Sequence, residues 1–120
     1  MLGMHPKDRL GRTGEDAAAD LLTRAGMRIV DRNWRCRHGE LDVVARDGAT
    51  WVFVEVKTRR GRRYGHPLEA ITREKLRRLR TLATLWMQAH DVRGPMRLDA
   101  IAVDAPHDAP MRLEHVRGIR

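Results

Sequence analysis

The sequence predicts an α/β domain in which one sheet is flanked by helices, with the elements in the order αβββαββ. Three observations carry that expectation. Apolar segments of strand length recur between residues 27 and 116. The turn signals His38-Gly39 and Asp47-Gly48 separate the first three of them. Two other stretches repeat their apolar residues at helical spacing, one before the first strand and one between the third and the fourth.

Residues 1–11 read as a mobile basic lead-in and residues 12–120 as a single domain. A first helix is expected from about Thr13, with Glu15 and Asp16 in its first turn, where acidic groups suit the helix dipole. Ala18, Leu21, Leu22 and Ala25 form its apolar face, and Gly26 stops it. Strands follow over Met27–Arg35, Glu40–Arg46 and Thr50–Thr58. The third is apolar on both faces from Trp51 to Val54, as a central strand is. A basic loop, Arg59–His66, leads to a long helix over Pro67–His90, opened by its proline. Its core stripe is Leu68, Ile71, Thr72, Leu79, Leu82, Ala83 and Trp86. Two strands, Met96–Asp104 and Met111–Val116, complete the order across the turn at 106–110.

A chain of 120 residues supports one domain with a real core and is too short for two. No apolar run is long enough to span a bilayer, and Met1–Arg12 lacks the apolar stretch of a signal peptide. The single cysteine, Cys36, excludes an internal disulfide and a multi-cysteine zinc site, so a cytoplasmic location is the default and no membrane partner is expected. Lys and Arg total 24 against 16 Asp and Glu, and the net charge of +8 favours a polyanionic partner, nucleic acid before an anionic membrane surface. Aromatics, 4 %, are too few for a base-stacking platform, which leaves recognition of the phosphate backbone. Self-repulsion for solubility explains the charge equally well, and composition alone does not separate the two.

The third strand carries the chemistry. Alternate residues share a face, so Glu55 and Lys57 project together about 6.6 Å apart, at the end of a face that also bears Trp51 and Phe53. Glu40 and Asp42 share a face of the preceding strand, and a hairpin closed at Asp47-Gly48 places Asp42 near Glu55. Two carboxylates so close repel unless a cation lies between them, and oxygen ligands suit Mg²⁺ or Mn²⁺. A cross-strand salt bridge accounts for an isolated Glu-x-Lys just as well. Glu15 lies at the edge of the buried face of its helix, either as a third acid for the site or as an ordinary first-turn acid. Lys75 falls in line with Leu68, Ile71, Leu79 and Trp86, and either snorkels past the core or enters the cleft toward a phosphate. Lys57 to Arg63 holds five cations in seven residues, and Arg59, Arg60, Arg62 and Arg63 form a candidate phosphate-tracking loop with Tyr64 and Gly65 at its exit. The six histidines lack paired ligand spacing, and Cys36-x-His38 is too little for zinc, so these read as structural or exposed.

Several segments together resemble the YraN-like family of bacterial proteins within the PD-(D/E)XK nuclease superfamily. They are Gly14-Glu15, Asn33, the run Gly39–Ala45, the run Val52–Lys57, Arg59, Tyr64-Gly65 and Lys75, over roughly residues 11–104. The resemblance implies a restriction-endonuclease-like fold with a central mixed sheet, and a core similar to that of archaeal Holliday-junction resolvases. It implies that Asp42 and Glu55 are the metal-binding acids, that Lys57 is the motif lysine, and that Glu15 is the helix acid of the resolvase-like branch. Leu41 stands where the nominal motif has proline, and the ending Val116–Arg120 departs from the family pattern. The expected activity is Mg²⁺- or Mn²⁺-dependent phosphodiester hydrolysis on DNA, branched DNA included. A homodimer would match a two-fold symmetric substrate. The alternatives are a nucleic-acid-binding module without turnover and, with no specific support, an interaction scaffold.

Overall fold

The structure, a computed structural model, describes residues 5–61 and 65–120. Helix α1 (Pro6–Arg24) precedes strands β1 (Arg28–Cys36), β2 (Gly39–Asp47) and β3 (Thr50–Arg59). A short 3₁₀ helix (Pro67–Ala70), helix α2 (Arg73–Ala89) and strands β4 (Met96–Asp104) and β5 (Arg112–Val116) follow. The predicted αβββαββ order is present, with two corrections.

Helix α1 begins at Pro6 rather than near Thr13, so most of the segment read as a mobile lead-in is helix. The His5 carbonyl accepts the amides of Asp8 and Arg9 at 2.9 and 3.0 Å, and proline suits a first turn. Leu10 then extends the apolar stripe onto the core. The second correction concerns the long helix. It is interrupted at Ile71 and Thr72, both extended, and Thr72 caps α2 by accepting the Lys75 amide at 3.2 Å. Thr72 is therefore an exposed cap, not a core residue, because its hydroxyl serves a helix start better than an apolar interior.

The strands form one mixed sheet in the order β1-β2-β3-β4-β5, with β3 and β4 parallel and every other pair antiparallel. The β3–α2–β4 crossover supplies the parallel pair. Asp47↔Thr50 closes the β2–β3 hairpin, with Gly48 at φ +59° in its turn. One face of the sheet packs Val43, Val52, Val54, Ile101 and Val103 against Ala18 and Leu22 of α1. The opposite face packs Val44, Phe53 and Leu98 against Leu79, Leu82 and Trp86 of α2. The three inner strands are thus covered on two sides, which is why β3 reads as continuously apolar. Among the described residues no helix is long and apolar enough to cross a membrane.

One irregularity positions the site. Leu41 and Val44 lie in the α2-side cluster, whereas Val43 and Ala45 lie in the α1-side cluster. The alternation of β2 therefore slips by one residue around Asp42. The β2–β3 ladder ends at Val43↔Val54, immediately before the register would bring Asp42 opposite Glu55.

Candidate functional site

The paired register of the two strands stops at Val43↔Val54, and the Asp42 carboxylate takes up the next position along β3. Its Oδ2 accepts the Val56 amide at 2.9 Å. A buried amide without a ladder partner needs an acceptor, and this bond fixes Asp42 against β3. Glu55 and Lys57 project from β3 beside it, with Lys57 Nζ 3.7 Å from Glu55 Oε1 and both side chains 25 % exposed. The structure thus brings together the three residues that the hairpin reading placed near one another.

All three acids of the site resist ionisation. Burial, then the charge of Glu55, raises the Asp42 carboxyl to about 7, although the Val56 amide and Lys57 oppose the shift. Burial also raises Glu55, against the pull of Lys57 and Lys75. Glu15 is raised by burial and then by Asp42 and Glu40, with Arg32 and Asn33 acting in the other direction. Such a cluster holds protons or a cation in preference to standing as free anions.

Glu15 faces this cluster from the middle of α1, not from a first turn, so the reading of it as a helix-terminal acid falls. Gly14 explains how close the helix comes. A Cβ at Gly14 would overlap the Thr58 side chain, so only glycine lets α1 lie on β3 immediately beside Lys57. Lys75 is exposed in the first turn of α2, outside the buried stripe, and its charge acts on Glu55. Arg59 and Arg60 flank a groove that also borders Lys57, Glu15 and Gly11. One Arg60 nitrogen donates to the Ala105 carbonyl at 3.2 Å. Arg62, Arg63 and Tyr64 lie outside the described residues.

The donor set suits a hard divalent ion held by two carboxylates and completed by water or substrate oxygens, as Mg²⁺ commonly is. Asp42 and Glu55 supply those carboxylates. Among the described residues no three acidic, histidine or cysteine side chains converge closely enough to enclose a metal.

Two residues have structural roles that sequence reasoning missed. Asn33 stands at φ +55°, a conformation that non-glycine residues seldom adopt, and its side-chain amide lies between Glu15 and Glu40. Asp99, fully buried on β4, accepts from Arg97 at 2.8 and 3.1 Å and from the Gly118 amide at 3.0 Å. His115 lies 2.8 Å from the same carboxylate. Despite burial, these partners hold the Asp99 carboxyl below the usual range, and they tie the C-terminal segment to the sheet. A charged residue between Leu98 and Ala100 was the available signal. His66 and His90 are structural: His66 caps the 3₁₀ helix, and His90 stacks on Trp86 at 4.0 Å between centroids.

Comparison with known proteins gives a consistent result. Residues 14–103 match the model of a family described as "Uncharacterised protein family UPF0102". A UPF0102 protein of Renibacterium salmoninarum is 57 % identical over 117 residues, which is 97 % of this chain and 99 % of that protein. A UPF0102 protein of Arthrobacter sp. is 51 % identical over 117 residues, again 97 % and 99 % of the two chains. One from Frankia casuarinae is 50 % identical over 116 residues, 96 % of this chain and 98 % of its own length.

Proposed function

This chain belongs to the UPF0102 family, and from that premise and the geometry above we propose that it is a metal-dependent nuclease that hydrolyses phosphodiester bonds in DNA. The observation that carries the proposal is the convergence of Asp42, Glu55 and Lys57, with both acids raised by burial. Buried like charges cost stability unless they are compensated, and a protein that only bound DNA would gain nothing from carboxylates that repel phosphate. The same residues support a restriction-endonuclease-like reading of the sheet, because the acids sit where β2 and β3 part.

Asp42 and Glu55 would hold Mg²⁺ or Mn²⁺. A divalent ion there supplies positive charge against the phosphate oxygens. Asp42, pinned by the Val56 amide, keeps a fixed orientation. Lys57 shares its ammonium with Glu55 and positions the attacking water. Lys75, Arg59 and Arg60 hold phosphates of the bound strand. Branched DNA is the substrate class suggested by the resolvase likeness, and the lone cysteine suits a reaction carried out in the cytoplasm.

The test is Mg²⁺-dependent cleavage of linear, flapped and four-way DNA by pure protein. Cleavage abolished by Glu55→Ala and by Lys57→Ala supports the proposal. No cleavage of any substrate, or cleavage unaltered in both variants, overturns it.

A further inference from the structure

We propose that Asn33 is the positioning residue of the site, orienting Glu15 and Glu40 toward the bound cation; this rests on the metal-dependent reading above. The inference starts from the β1–β2 ladder. Its register runs Arg32↔Val43 and Trp34↔Leu41, so Asn33 faces Asp42, yet that pair is missing from the ladder. On β2 this is where alternation slips, and on β1 it is where the backbone turns left-handed at φ +55°. The two irregularities oppose each other across the ladder. Asparagine is one of the few residues besides glycine that accepts such a conformation without large strain.

Glycine would satisfy the backbone alone, so the asparagine side chain needs its own explanation. With its amide nitrogen turned to the acids, Asn33 donates to Glu15 Oε1 at 2.8 Å and to Glu40 Oε1 at 2.9 Å. Both amide hydrogens are then used, one on an acid from α1 and one on an acid from β2. Arg35 reaches the other Glu40 oxygen at 3.3 Å, and Arg32 adds its charge near Glu15. Glu15 and Glu40 repel each other and Asp42, and Asn33 is the neutral bridge that holds them together without cancelling their charge. Glu15 therefore faces the Asp42 carboxylate in a fixed orientation, with an oxygen able to bind a metal-held water. Outer-shell bonds of this kind fix ligand direction and tune metal affinity.

Mn²⁺ binding to the intact, metal-free protein is the measurement, made on wild type, Asn33→Gly, Glu15→Ala and the double variant. Glycine keeps the left-handed backbone and removes the donors. The expected result is a loss of about 10–100-fold in Mn²⁺ affinity for Asn33→Gly, the same order for Glu15→Ala, and no further loss in the double variant. Unchanged affinity in Asn33→Gly overturns this inference and leaves the nuclease reading standing. No Mn²⁺ binding by wild type removes both. Should Asn33→Gly fail to fold, the side-chain amide resonances of Asn33 decide the matter in an otherwise intact chain. They shift in Glu15→Ala and in Glu40→Ala if the two bonds exist, and unmoved resonances overturn the proposal.

Discussion

Replacing Asp42 by asparagine should make the metal-free protein more stable at neutral pH and leave it unchanged in acid. Asparagine keeps an oxygen for the Val56 amide and removes the charge. In the folded chain the Asp42 carboxyl is raised from 3.8 to about 7. A group whose folded value lies above its unfolded value binds protons more tightly when folded. Its stabilising contribution is complete below about pH 4 and is lost as the pH rises through about 7. A rise of about three pH units corresponds to about 4 kcal/mol, an upper figure for one carboxyl. For a chain of this size that is a fall in Tm of about 15 °C between acid and neutral pH. Glu55 and Glu15 are raised as well and act in the same direction. The lowered carboxyl of Asp99 acts only at more acid pH and leaves this window clear. The assay is thermal melting of wild type and Asp42→Asn without metal, from about pH 4 to about pH 8. The variant's advantage should grow across that range, and added Mg²⁺ should raise the wild-type Tm at the upper end while leaving the variant unmoved. Parallel curves for the two proteins, or a variant less stable at neutral pH, would refute the reasoning.

Three further outcomes follow from the packing and charge. Gly14→Ala should destabilise the fold by about 1–3 kcal/mol, because its Cβ meets Thr58, and Thr58→Ala should recover part of the loss in denaturant melts. Asp99→Ala should cost about 3–5 kcal/mol by leaving Arg97 and His115 without their buried partner, with Mn²⁺ affinity retained in the fraction that folds. Neutralising Arg59 and Arg60 together should lower the salt dependence of DNA binding by about one counter-ion for each phosphate no longer held, a change that Asp42→Asn should not produce; an unaltered slope would remove the loop from the interface.

The element order was legible because β3 is apolar on both faces while the two helices are apolar on one. The hairpin at Asp47-Gly48 likewise placed Asp42 near Glu55 from turn chemistry alone. The slip in β2 was not legible: Glu-Leu-Asp-Val-Val reads equally well as a regular strand, and only the clusters on the two faces reveal the extra residue at Asp42. The break at Thr72 hid because Leu68 and Ile71 continue the helical spacing, and a capping hydroxyl fits that pattern as easily as a buried threonine. Helix α1 reads short because acids at Glu15 and Asp16 mimic a first turn, whereas Pro6 and Asp8 mark the true one. Asn33 carried a local signal, an asparagine inside a strand, yet its two carboxylate partners are 18 residues before and 7 residues after it on other elements. Periodicity within one element does not report a meeting of three.

The most direct measurement is a crystal of the protein soaked with Mn²⁺ and recorded at the manganese absorption edge. An anomalous peak bonded to Asp42 and Glu55 together, lost in Glu55→Ala, is the predicted result. Well-ordered carboxylates with no peak between them, or manganese bound only elsewhere on the surface, would contradict the account.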